Sequence, residues 1–106
     1  MDKYLKEVVK EIEADAYLVI DLEGNVIESL NVDFADNIGL MTEVAFSMCK
    51  DLSEDLKNGE LEQLITKTSK GIMITAKVKN NIISILSKDF SKLGILLKKM
   101  SSISKD

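Results

Sequence analysis

The 106-residue chain contains no histidine, arginine, tryptophan or proline, and one cysteine, Cys49. Each absence removes a class of chemistry. Without histidine, and with a single thiol, the soft ligands of a zinc or other transition-metal site are missing, so no metal is expected. Without arginine the chain has no arginine finger to lend a nucleotide hydrolase. One cysteine cannot build the disulfide framework of a small secreted domain. No nucleophile and base can be paired from the residues present, so no catalytic residue and no cofactor is expected, and the chain reads as non-enzymatic. No window approaches the ~18 to 20 consecutive apolar residues of a membrane span, and no membrane insertion is expected. Met1 to Glu7 is charged where a signal peptide would turn apolar, which places the chain in the cytoplasm as an expectation.

What is present fits one domain over residues 1–106, large enough to bury a single core. Net charge is −4, with the lysines spread over every element instead of gathered into a stripe. Nucleic-acid binding is therefore not expected, because counterion release needs clustered cations. Lys92, Lys98 and Lys99 read as a solvated helix face and not as a membrane-binding patch.

Residues 2–13 read as a helix with Leu5, Val8, Val9 and Ile12 at helical spacing. Residues 16–22 and 26–30 read as two strands joined at Glu23-Gly24-Asn25, the first apolar on both faces and therefore central. Asp21-x-x-Gly24 has no phosphate-cradling loop upstream and no twelve-residue calcium loop around it, so it reads as a plain hairpin turn. A long middle helix spans residues 34–57, with Asp33 and Asp36 in a capping arrangement at its start and Asn58-Gly59 as its stop. Residues 60–68, 71–78 and 81–87 form a meander in which the first strand is an edge and the last is central. From Asp89 the spacing turns helical again, with Phe90, Leu93, Leu96, Leu97, Met100 and Ile103 on one side and residues 101–106 expected to fray. The result is an α+β sandwich of order α-β-β-α-β-β-β-α. Its five-stranded antiparallel sheet is expected to carry the N- and C-terminal helices on one face and the middle helix on the other.

The middle helix is the feature that exceeds what a fold needs. Phe34, Ile38, Leu40, Met41, Val44, Ala45, Met48, Cys49, Leu52 and Leu56 cover an arc of about 180° at ~100° per residue, against somewhat over 100° for a helix lying on one sheet. One part of the arc is expected to cover the sheet, with Cys49 as a small buried hydrophobe, and the remainder to meet a second copy of the chain beside the unpaired edge strand. The residues expected at that interface are Leu40, Val44, Met48, Leu64 and Thr66, with either border of the arc open as the contact. The polar arc of Gly39, Thr42, Glu43, Ser47, Lys50, Ser53 and Glu54 is expected to face solvent, and Phe46 falls in its middle. Glu43, Phe46, Lys50 and Glu54 are therefore candidates for binding a different protein, since exposed aromatics are enriched at binding hot spots.

Ala14 to Ile27, the long helix, the meander and Phe90-Ser91-Lys92-Leu93-Gly94-Ile95-Leu96-Leu97 together resemble the Roadblock/LC7 family, whose fold is profilin-like. The local signatures are Asp21-x-x-Gly24 and Leu93-Gly94; Ala14 stands where the family pattern would carry glycine. The resemblance implies a non-enzymatic homodimer, or a heterodimer with a related Roadblock chain, in which edge strands pair across a two-fold axis and the long helices pack side by side. It also implies a regulator or scaffold of a small Ras-like GTPase, most like the prokaryotic members. Two other readings of the residues remain: a structural dimerisation subunit of a larger complex without GTPase contact, and a small-molecule sensor with a pocket of ~300 Å³ or more.

Overall fold

The computed structural model describes Glu7 and residues 14–105. The helix expected over residues 2–13 lies, Glu7 apart, outside the described residues. Strands β1 (Ala16–Asp21), β2 (Val26–Leu30), β3 (Leu64–Lys67), β4 (Ile72–Val78) and β5 (Asn81–Ser87) form one antiparallel sheet in the order β2-β1-β5-β4-β3. Helix α1 (Ala35–Asp55) lies against one face. Helix α2 (Leu93–Lys105), entered through the 3-10 turn Phe90–Lys92, lies against the other.

Alternation along the strands divides the core in two. Tyr17, Val19, Ile74, Ala76, Ile83 and Ile85 pack with Leu96, Met100 and Ile103 of α2. Leu18, Ile20 and Ile82 pack with Phe46 of α1. Strand β5, at the centre of the order, and its interior neighbour β1 are the ones whose sequences are apolar on both faces. The α1 face of the sheet also buries a polar pair: the hydroxyls of Thr75 and Ser84, cross-strand neighbours, lie 2.6 Å apart and satisfy one another. On the α2 face the phenol of Tyr17 donates to Glu28 Oε1 at 3.2 Å. Burial, with the neighbouring carboxylate second, raises the Tyr17 pKa above its ordinary value.

The hairpin turn is built on one carboxylate. Asp21 Oδ1 accepts from the backbone N–H of Glu23 and of Asn25, both at 2.9 Å, and Oδ2 accepts from Asn25 Nδ2 at 3.0 Å. Gly24, at φ 92°, takes the left-handed conformation the turn requires.

Four local expectations are corrected. Strand β3 spans Leu64–Lys67 and not residues 60–68. Leu61 packs with the Phe46 cluster on one face, while Gln63 Nε2 donates to Leu97 O (3.2 Å) and Ser101 Oγ (3.0 Å) and is committed to α2 on the other. The same contact and the buried Ile103 hold residues 101–105 helical where fraying was expected. Helix α1 begins after Phe34, whose own backbone is left-handed (φ 55°, ψ 43°), with no side-chain cap from Asp33. It ends in a Schellman motif, Lys57 N donating to Glu54 O and Asn58 N to Ser53 O. The left-handed residue of that motif is Lys57 (φ 57°), two residues before Gly59, where the stop was expected.

Candidate interaction surface

Helix α1 meets the sheet along a seam at heptad spacing: Ala35, Gly39, Thr42, Phe46, Cys49 and Ser53. Gly39, Thr42 and Phe46 are buried and the other three half-buried. The seam is small at the hairpin end because the backbones nearly touch there. A Cβ on Gly39 would lie 2.8 Å from Gly24 O and 3.0 Å from Val26 Cγ2, so only glycine fits. Thr42 satisfies its hydroxyl on Ile38 O at 2.7 Å, which lets the residue pack against the sheet with no orphaned donor. Phe46, 4 % exposed, fills the wider gap over Leu18, Ile20 and Ile82.

This orientation overturns two expectations. Phe46 was expected on a solvated arc as an anchor for another protein, yet it is the largest side chain that α1 places on the sheet. The apolar arc, part of which was expected to cover the sheet, points away from it. Phe34 is 81 % exposed, Met41 66 %, Met48 67 % and Leu56 67 %, and Leu40, Val44 and Leu52 are each more than half exposed. Of the arc, Cys49 alone turns into the seam, half-buried, and Ile38 at the seam's border is 38 % exposed. The physical reason lies in size. A helix held this near a hairpin must present small residues to it, and small residues carry little hydrophobic signal.

The remaining sequence-predicted residues fall into three places. Leu40, Val44 and Met48 stand together on the exposed arc. Leu64 is half-buried and packs against the Phe46 cluster, while Thr66, also half-buried, lies at the wall of a groove beyond α1. On the polar side, Glu43 is half-buried and accepts from Ser47 Oγ at 3.0 Å, and Lys50 and Glu54 are exposed and paired with each other at 3.6 Å. Also exposed are Phe34, Met41 and Leu52, which belong to the same arc, and Ile65 of the edge strand, 45 % exposed. Cys49 lies in the seam, half-buried.

Groups able to hold a metal ion are absent among the described residues, and no helix among them is long and apolar enough to cross a membrane. The described residues offer a wide exposed apolar surface on α1 and, at the end of the sheet, the edge strand β3, which is the chemistry of protein association.

The Roadblock/LC7 domain family matches residues 2–87. Among solved structures, MglB of Myxococcus xanthus superposes with a TM-score of 0.76 at 15 % identity, covering 98 % of this chain and 96 % of that one. A Roadblock/LC7 domain from Streptomyces avermitilis gives 0.79 at 12 % identity, covering 94 % and 88 %. Profilin IA of Acanthamoeba castellanii gives 0.67 at 13 % identity, covering 96 % and 94 %. At these identities the likeness is one of fold. No curated protein matches the chain significantly.

Proposed function

From its membership of the Roadblock/LC7 family, we propose that this chain is a non-enzymatic, self-associating regulator or scaffold that binds a small Ras-like GTPase. The observation that carries the reading is the outward apolar arc of α1. Leu40, Met41, Val44, Met48, Leu52 and Leu56 stand exposed on one side of a single helix, an arrangement that a soluble monomer rarely leaves uncovered. A second copy is the partner we assign to Leu40, Val44 and Met48, with the edge strand β3 alongside. Glu43, Lys50 and Glu54 flank that surface and are assigned to the GTPase, with Phe46 supporting them from beneath the helix. Lacking arginine, the protein would alter GTP turnover only by positioning residues of the GTPase itself.

The reading is tested by solution mass and by binding. Val44 is 52 % exposed, so Val44→Glu should leave the fold intact and yield a soluble monomer, since a lone carboxylate facing an apolar mate is costly. An unchanged dimer would place the contact elsewhere. GTP turnover and binding of a co-purifying GTPase, measured with and without the protein in both nucleotide states, test the second half; no binding in either state removes it.

A further inference from the structure

The register of the sheet sets its α1-face side chains in rows that run across the strands. Leu18, Ser84, Thr75 and Leu64 are successive cross-strand partners, and this row is buried or half-buried where Phe46 packs. Ala16, Leu86, Met73 and Thr66 make the next row in the same way. No residue of α1 lines the groove above it. The helix is anchored at the opposite end of the sheet, where Gly39 seats against Gly24 of the hairpin.

The uncovered row is the floor of an open groove of about 610 Å³, which exceeds the ~300 Å³ that a small-molecule site needs. Three inter-strand steps of ~4.8 Å give the row a length of about 14 Å. It is an elongated trough with Ala16, Leu86 and Met73 as its apolar floor and Thr66 at its β3 end. Charge of one dominant sign stands along it. Lys70, in the turn between β3 and β4, and Lys88, just past β5, are exposed there, and neither has an ion-pair partner among the described residues. Asp15 is the one carboxylate among the lining residues, and its Oδ2 accepts from the backbone N–H of Lys88. Two cations against one committed anion leave a single positive charge unmatched.

We infer that this trough binds a small linear amphiphile with one negative charge, an acyl carboxylate of medium chain length, its chain lying along Ala16, Leu86 and Met73 and its head group held by Lys70 and Lys88. Each part of that ligand answers one observation. The extended chain matches an apolar row that crosses four strands, and burying it there removes hydrocarbon from water. The monoanion matches the charge left over beside the row. Asp15 stands at the β1 end and repels a carboxylate from it, which directs the head group toward Lys70. The exposed arc of α1 takes no part in the site, so the inference does not depend on what covers that arc.

The test titrates decanoate, kept below its micelle concentration, into the isotope-labelled full chain and follows the backbone amide resonances. Decanoate should shift the amides of Ala16, Thr66, Met73 and Leu86 saturably and leave those of Leu40, Val44 and Met48 in place. Decyltrimethylammonium, with the same chain length and the opposite charge, should not saturate the trough amides. K70E/K88E, a change at two exposed positions, should weaken decanoate binding by about tenfold or more. Met73→Glu should abolish it by placing a carboxylate on the apolar floor; if that variant does not fold, K70E/K88E decides. Equal binding of the cationic amphiphile at the trough, or decanoate binding that K70E/K88E leaves unchanged, overturns the inference. A decanoate response confined to the α1 arc, or no response at all, overturns it too. Trough amides that shift with protein concentration and not with decanoate would assign the trough to a contact between copies, and the ligand reading would fall.

Discussion

Helices α1 and α2 lie on opposite faces of one sheet and obey opposite rules. In α2 the apolar side chains Leu96, Met100 and Ile103 go to the sheet and are buried. In α1 the apolar side chains go to the outside, and the sheet receives Ala35, Gly39, Thr42, Phe46, Cys49 and Ser53. A hydrophobic stripe marks the side of a helix that wants an apolar neighbour; it does not say that the neighbour belongs to the same chain. For α2 the neighbour is the sheet, and for the outer arc of α1 there is none among the described residues.

The comparison breaks most sharply at Phe46. Its removal empties the gap that holds α1 over Leu18, Ile20 and Ile82, and Phe46→Ala should lower stability by about 3–5 kcal/mol in urea unfolding. Leu96→Ala on α2 should cost about 2–5 kcal/mol for the same reason. Val44→Ala on the exposed arc should change unfolding of the protomer by less than ~0.5 kcal/mol, measured under conditions where the protein is monomeric. If Val44→Ala were as costly as Leu96→Ala, α1 would be the reverse of what is described.

A smaller effect separates the two sheet faces themselves. The α2 face is lined by aliphatic side chains at its centre, while the α1 face buries Thr75 and Ser84 as a mutually satisfied pair. Ser84→Ala alone strands the Thr75 hydroxyl and should cost about 1–3 kcal/mol. Adding Thr75→Val should recover much of that loss, because neither polar group is then left buried without a partner. A double variant no more stable than Ser84→Ala would mean that the pair has no role beyond its packing.

The sheet was legible because its signal is local. Two strands apolar on both faces, β1 and β5, had to be central, and the turns at Gly24, Gly71 and Asn80 fixed the meander. The width of the α1 stripe also pointed to a surplus surface. Its direction was not legible, since Gly39, Thr42 and Ser53 look like a solvated arc until the approach of Gly24 is known. With that arc turned inward, Phe46 ceased to be an exposed anchor. The β3 boundary was missed because Gln63 is committed to α2 across 34 residues of chain, a contact with no local trace. The groove required the strand ends of β1, β4 and β5 to be brought together.

The helix ends supply a gentler version of the same contrast. Helix α1 closes on Lys57 in the left-handed region, where an L side chain with a Cβ is disfavoured by about 1 kcal/mol. Lys57→Gly should therefore stabilise the protomer by about 0.5–1 kcal/mol in thermal or urea unfolding. Gly59, also left-handed, has open space around it, and Gly59→Ala should be destabilising through its φ of 93° alone.

The smallest effect concerns the turn on which α1 rests. Hydrogen bonds from Asn25, first through its backbone N–H and then through its side chain, hold the Asp21 pKa below the ordinary value. A depressed carboxylate pKa means that the unfolded chain binds the proton first as the solution is acidified. The stabilisation from Asp21 is therefore complete above the unfolded pKa of about 4 and is lost as pH falls through the lower folded value. Asp21→Asn should be less stable than wild type at pH 7, with the difference in urea midpoint shrinking below about pH 4. Because Gly39 seats on Gly24 of this turn, amide exchange in the acidified wild type should quicken along the Gly39 end of α1 before it does in α2. Equal exchange in both helices would uncouple the turn from the α1 seam and leave Phe46 as the contact that holds α1 to the sheet.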